Sequence, residues 1–340
     1  MNLNRTSKRR RFLVGATATA LAINYVRRPG EAAEFEYKIG TNVPMNDPRN
    51  VNIVLMSKRL LQETNGRFKL TLYPNNQLGG DTAMLTQIRS GALEFFTISG
   101  GILSAVVPAT DIQGVPFAFK SLDVAYKAMD GDLGAYLRKQ INDKGIAVMP
   151  HMLNNGFRQI TNSVRPIKVV DDLNGLKIRT PPGKLWVDLF KTLGASVIGM
   201  NFAELYTALQ THTVDGQENP YIIEEIGRLY EVQKYLSITN HMWDAFWVIA
   251  NMDKWNALGP QLQDVVTKNM IVYARDQRRD NDLLNESLSD KLQRQGLVFN
   301  KADVATFKAK LNAAKFYDRW RDTFGAEAWT ILEKYTGKLG

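Results

Sequence analysis

The sequence predicts an α/β protein built in two lobes, and three observations carry this. Strand-like and helix-like segments alternate in the order β-α-β-α-β from Glu36 to Ser99, which implies a sheet with helices on its faces. The alternation restarts at Ile146. Pro260–Gln295 then has no Gly or Pro after its first residue and reads as one helix of ~54 Å, longer than a single small domain is wide. A chain of 340 residues also fits two domains at ~100–200 residues each.

The elements follow in order. Tyr37–Gly40 reads as the opening strand, and Asp47-Pro48 supplies an N-cap and an N1 proline for a helix ending near Asn65-Gly66. Arg67–Tyr73 is a second strand broken by Pro74-Asn75-Asn76. Asp81 is expected to cap a helix with Met84, Leu85 and Ile88 on one face and Gly91 as its stop, ahead of an apolar strand Leu93–Ser99. In the second series Ile146–His151, Arg158–Asn162 and Gly175–Thr180 read as strands. Pro181-Pro182 opens a helix to Gly194, Phe202–Thr211 is a short helix, and Val214-Asp215-Gly216 is a brief strand and turn. The Arg275–Asp280 cluster of the long helix reads as a solvated face, and the adjacent acids Glu224-Glu225 and Asp171-Asp172 as solvated or as helix N-terminal charges.

Charge is unevenly placed. The net charge is +9, but seven Lys and Arg against one acid in residues 1–32 leave only +3 for the rest, no footprint for nucleic acid. Arg9-Arg10-Arg11-Phe12-Leu13 heads a weakly apolar run to Ile23 of ~18 Å as a helix, too short for a ~30 Å hydrocarbon core. Residues 1–32 are therefore expected to be a signal peptide of the twin-arginine type. A general secretory signal or an uncleaved anchor stays open, and all three place the body outside the cytoplasm.

Enzyme signatures fail. The chain has no cysteine, and its three histidines lack metal-ligand spacing. Gly194-x4-Gly199 has P-loop spacing, but Met200 stands where the lysine is required. No nucleophile elbow and no dinucleotide fingerprint occur, so neither cofactor nor catalytic residue is expected. What remains is Arg179, at the C-terminal end of a buried strand, where open α/β units bind ligands. It can grip a carboxylate through two parallel hydrogen bonds or serve an internal salt bridge, and Arg158 has the same two readings. Asn219, before Pro220, points an amide into a cleft or caps a turn.

Four stretches together resemble the solute-binding proteins of TRAP transporters, the DctP-like family. They are Leu72–Gly79 (LYPNNQLG), Phe157–Asn162 (FRQITN), Asp172–Arg179 (DLNGLKIR), and Glu204–Gln210 running into Val214–Pro220 (ELYTALQ and VDGQENP). The match spans residues 34–335. It implies a two-lobed periplasmic-binding-protein fold with an interlobe ligand cleft and a long helix spanning both lobes. Lobe I is then residues 33–155 with 245–284, and lobe II residues 156–244 with 285–340.

The resemblance also implies a function: capture of a small organic acid in the periplasm, without reaction, and its delivery to the small and large membrane subunits. By motif position Arg179 matches the family arginine that grips the carboxylate, Arg158 a second cleft arginine, and Asn219 the asparagine that orients the acid. Phe202 matches an aromatic wall, and Asn42 and Asp81 match positions that meet the polar end of the ligand. Ser99 stands where sialic-acid-binding members carry glutamate, so sialic acid is not the expected ligand. Trp243, Trp247, Trp186 and Phe157 either line the pocket or pack in the core; two of them in the pocket would mean a flatter or more apolar ligand than a sugar acid. The alternatives are an exported α/β enzyme, or a receptor that passes ligand occupancy to a sensor partner.

Overall fold

Two β-α-β units lie at the ends of one mixed sheet, and the reason is the hydrophobic pattern of their strands. In the computed structural model the described residues are 32–340; the expected signal peptide lies outside them, apart from its last residue. Strand β1 (Phe35–Gly40) leads through α1 (Pro48–Glu63) to a parallel β2 (Phe68–Tyr73), and α2 (Asp81–Ser90) leads to β3 (Phe95–Ser99) on the other side of β1. As expected, Asp47 caps α1, accepting from the Arg49 N–H, with Pro48 at the first position. Asp81 does not cap α2: Gly80 holds the cap position, and Asp81 is the first helical residue with its side chain turned inward on Asn42.

Next come α3 (Gly100–Leu103), α4 (Leu122–Asp130), α5 (Asp132–Asn142) and the short β4 (Ile146–Val148). The chain then crosses on β5 (Leu153–Asn162) into the second unit: β6 (Lys177–Thr180), α6 (Lys184–Thr192), β7 (Ser196–Gly199), α7 (Phe202–Gln210), β8 (Gly216–Asn219) and α8 (Tyr221–Ile226). It returns on the seventeen-residue β9 (Tyr235–Asn251). After α9 (Met252–Ala257), α10 (Gly259–Arg294) runs 36 residues, followed by β10 (Val298–Lys301) and α11 (Val304–Ala313), α12 (Phe316–Phe324) and α13 (Ala326–Thr336).

The strand order is β2-β1-β3-β9-β5-β8-β6-β7, with β4 and β10 also on β9. Parallel groups therefore flank one antiparallel pair, β5 and β9, which connects them. The long helix spans both groups as expected. Val266, Met270 and Tyr273 pack in the core beneath β1 to β3, while Leu288 joins the core of α7 and α8. Its Arg275–Asp280 segment is not wholly solvated. Arg278 is largely buried, its Nε donating to the Met152 carbonyl and its guanidinium paired with Asp130, because the helix lies against the chain entering β5. Glu224 is also buried rather than solvated, since α8 packs that face onto β8, where its carboxylate accepts from Gln217 Nε2.

Candidate functional site

The parallel group of β6 joins the β5–β9 pair sideways through β8, and Arg179 is the last residue but one of β6. Its side chain is 1% exposed, and Nε and Nη2 both donate to the Met200 carbonyl, at 2.9 and 2.5 Å. No ion pair to Arg179 occurs among the described residues. Burial pushes its pKa down to about 10, with repulsion from Arg158 adding to this and Glu218 and Asp81 opposing.

Arg158, in β5, is as deeply buried but fully neutralised. Its Nε donates to Glu218 Oε2 at 2.5 Å, Nη1 to Asp244 Oδ2 at 2.8 Å, and Nη2 to Glu218 Oε1, the Glu218 carbonyl and Asn219 Oδ1. Burial alone would raise the Glu218 pKa, but Arg158 and His241 more than offset it and hold it below the ordinary value. Burial also holds His241 low, against the pull of Glu218. Asn219 is fixed between Arg158 and Gln217, whose Oε1 accepts from its Nδ2 at 2.5 Å.

These groups close on a small cavity of about 30 Å³, well below the ~300–1,000 Å³ typical of ligand sites. Arg179, Arg158, Asn219, Phe202, Asn42, Asp81 and Ser99 all line it, with Trp186, Asn155, Asp244 and apolar walls from Val43, Ile102, Pro181, Ile223 and Phe246. Opposite the arginines the lining is rich in acceptors. Asn42 Nδ2 donates to Asp81 Oδ2 at 3.1 Å, leaving Asn42 Oδ1 and Asp81 Oδ1 buried without a hydrogen-bond partner among the described residues. Asn155 Oδ1 is in the same condition. Burial pushes Asp81 up to about 6, against the Asn42 hydrogen bond and the charges of Arg179 and Arg49. A larger groove of about 470 Å³ opens beyond Phe202, but it lies at the surface and its Arg228 is already paired with Glu231.

Trp243 is a correction: it does not line the cavity. Successive residues of a strand face opposite sides, so the turning of Asp244 and Phe246 to the cavity sends Trp243 and Trp247 to the other face. There Trp243 Nε1 donates to Asn154 Oδ1, with its ring edge-on to Phe119, and Trp247 Nε1 donates to Gln113. Phe157 packs at the edge of the core. Of the four aromatics weighed, Trp186 alone reaches the cavity.

Sequence reasoning missed Asn155 and Asp244. Asn155 is the extra residue of a β-bulge before Gly156, whose φ is +118°. The signal was Asn154-Asn155-Gly156, a turn-like triplet inside a strand. Asp244 is the lone acid of the apolar run Met242–Ala250, a residue type rarely buried unless paired. It accepts from Ser99 Oγ at 2.6 Å, Asn155 Nδ2 at 2.9 Å and Arg158. Among the described residues no group of three or more His, Asp or Glu is placed to hold a metal ion.

Two β-α-β lobes joined by crossing strands and a long helix, with a charged cavity between them, define a two-lobed solute-binding protein. Comparison with known proteins makes this specific. The chain belongs to the DctP family, bacterial extracellular solute-binding protein family 7, whose model matches residues 39–320, and it is a solute-binding protein of the TRAP type. It is 33% identical over 232 residues to the 2,3-diketo-L-gulonate-binding periplasmic protein YiaO of Escherichia coli K12, covering 68% of this chain and 70% of that one. A TRAP periplasmic solute-binding protein from Polaromonas sp. JS666, solved bound to D-erythronate, is 32% identical with a TM-score of 0.83 over 87% of this chain and 98% of that one. The sugar acid binding protein DctPAm of Advenella mimigardefordensis, in complex with galactonate, is 27% identical with a TM-score of 0.85 over 90% and 99%.

Proposed function

We propose that the chain captures a small hydroxylated organic acid between lobe I (33–155 with 245–284) and lobe II (156–244 with 285–340), and hands it unchanged to TRAP membrane subunits after export by the twin-arginine route. The observation that carries the reading is Arg179, a guanidinium 1% exposed and without a carboxylate partner among the described residues. A buried charge is costly unless paired, and a ligand carboxylate supplies the pair. Arg158 holds the shape of the site through Glu218, Asp244 and Asn219. Asn42 Oδ1, Asp81 Oδ1 and Asn155 Oδ1 each need a donor, which hydroxyl groups provide and a second carboxylate does not. With one aromatic of four in the cavity, the condition for a flat or apolar ligand is not met. The relatives solved with D-erythronate and galactonate support the same class.

The test is a thermal-shift and calorimetric screen of residues 33–340 against aldonates, dicarboxylates, aromatic acids and neutral polyols. Binding confined to hydroxylated monocarboxylates is the expected result. A preference for succinate or benzoate over every aldonate would refute the assignment.

A further inference from the structure

We infer that Asn201 and Trp186 form a two-point clasp that holds the lobes together and sets how long the ligand stays. The inference rests on the reading of the cavity as the ligand site. Both residues come from the β6–β8 lobe, and both seat on backbone of the other lobe. The Trp186 indole lies against Gly101 of α3 so closely that a Cβ added there would stand 2.0 Å from Cζ3. A Cβ on Gly183, at the start of α6, would stand 2.7 Å from the Gly101 carbonyl oxygen. Gly183 has φ −118° and Gly101 is helical, so space and not backbone conformation requires glycine at this seam.

The second point is polar. The N-cap of α2, Gly80, offers no side chain, and the first helical residue, Asp81, is turned into the cavity, so the helix does not cap itself. Asn201 supplies the cap from the opposite lobe. Its Oδ1 accepts from the Thr82 N–H at 3.3 Å, and its Nδ2 donates to Thr82 Oγ1 at 3.3 Å. Asn201, Thr82 and Gly101 do not line the cavity, yet each adjoins a residue that does: Phe202, Asp81 and Ile102. The clasp therefore acts on closure without contributing a ligand contact at these positions. Since apparent affinity scales with the fraction of closed, binding-competent molecules, loosening the clasp raises the dissociation constant.

The chain has no native cysteine, so a fluorophore pair on Lys58→Cys and Lys191→Cys, one on each lobe, reports closure. Wild type, Asn201→Ala and Gly101→Ala are compared with D-erythronate, L-gulonate and D-galactonate as probes. For any probe the wild type binds, each variant is expected to weaken binding about tenfold, through faster dissociation and with association little changed, and to keep the long label distance at probe concentrations that close the wild type. Variants that bind and close like the wild type overturn the clasp. If Gly101→Ala fails to fold, Asn201→Ala at the surface edge decides alone. If the wild type binds none of the three, the hydroxylated-acid reading fails, and the clasp is judged on the unliganded label distances. The wild type must then hold the short distance more than either variant, and equal distributions overturn the proposal.

Discussion

Arg179 and Arg158 show how two identical side chains, both buried, come to differ in what they can do. Arg158 spends its donors on Glu218, Asp244 and Asn219, whereas Arg179 hydrogen-bonds the Met200 carbonyl and pairs with no carboxylate among the described residues. Truncation of Arg179 to Ala is expected to leave a bound carboxylate unpaired and to cost roughly 3–5 kcal/mol, about 10²–10³-fold or more in affinity. Arg179→Lys should lose most of this too, because an ammonium lacks the planar fork; calorimetry showing near wild-type affinity for the lysine variant would sink the assignment. Asp81, at about 6, adds a pH dependence. Its carboxylate accepts a ligand hydroxyl more strongly than the protonated acid does, so affinity should fall as pH drops below about 6. In Asp81→Asn binding should be about five- to tenfold weaker at pH 8 and flat with pH, from the ~1 kcal/mol between charge-assisted and neutral hydrogen bonds.

At the scale of elements, the bulge of β5 is held from behind by α10. Gln277 accepts from the Asn154 N–H and donates to the Asn154 carbonyl, both at 2.8 Å and both buried, while the next residue, Asn155, faces the cavity. Gln277→Leu should strand both backbone groups at about 1–3 kcal/mol each. It should also weaken ligand binding although residue 277 never meets the ligand; urea denaturation and calorimetry on one variant check both, and loss of stability with unchanged affinity would uncouple helix from site. The long helix itself was legible because nothing interrupts Pro260–Gln295, and β1 to β3 because their signals are local. The bulge and the β5–β9 crossing were not, since strand pairing across about eighty residues leaves no local pattern. The same limit applies to Trp243: its identity is visible in the sequence, but the face of β9 it occupies is set by register.

For the whole molecule, three buried carboxyls stand above their ordinary values, each chiefly through burial: Asp81 at about 6, Asp111 at about 7 and Glu224 at about 8. The native state keeps protons on them that the unfolded chain releases near pH 4, so they favour folding at low pH and this contribution is lost as pH rises through the folded values. His241, held low, works in the opposite direction below about 6.5, leaving Asp111 and Glu224 to set the slope above it. Stability should therefore fall between pH 6.5 and 8.5, and Glu224→Gln should flatten that fall; denaturation midpoints that rise over this range would contradict it. On the acid side Asp130 and Glu218 are held below ordinary carboxylate values, against burial, by their cationic and hydrogen-bonding partners, and the stability they contribute is lost as pH falls through the carboxylate range.

By itself the sequence determined the alternation of strands and helices and the length of α10, because propensity and breaks are written along the chain, while the resemblance of its motifs to a known family supplied the candidate set Arg179, Arg158, Asn219, Phe202, Asn42, Asp81, Ser99 and Trp243. Only the tertiary structure decided which arginine lacks a carboxylate, that Asp244 and Asn155 enter the cavity while Trp243 leaves it, and that Asn201 caps a helix of the other lobe. Those outcomes depend on burial, strand register and contacts between distant segments, which exist only once the two lobes meet.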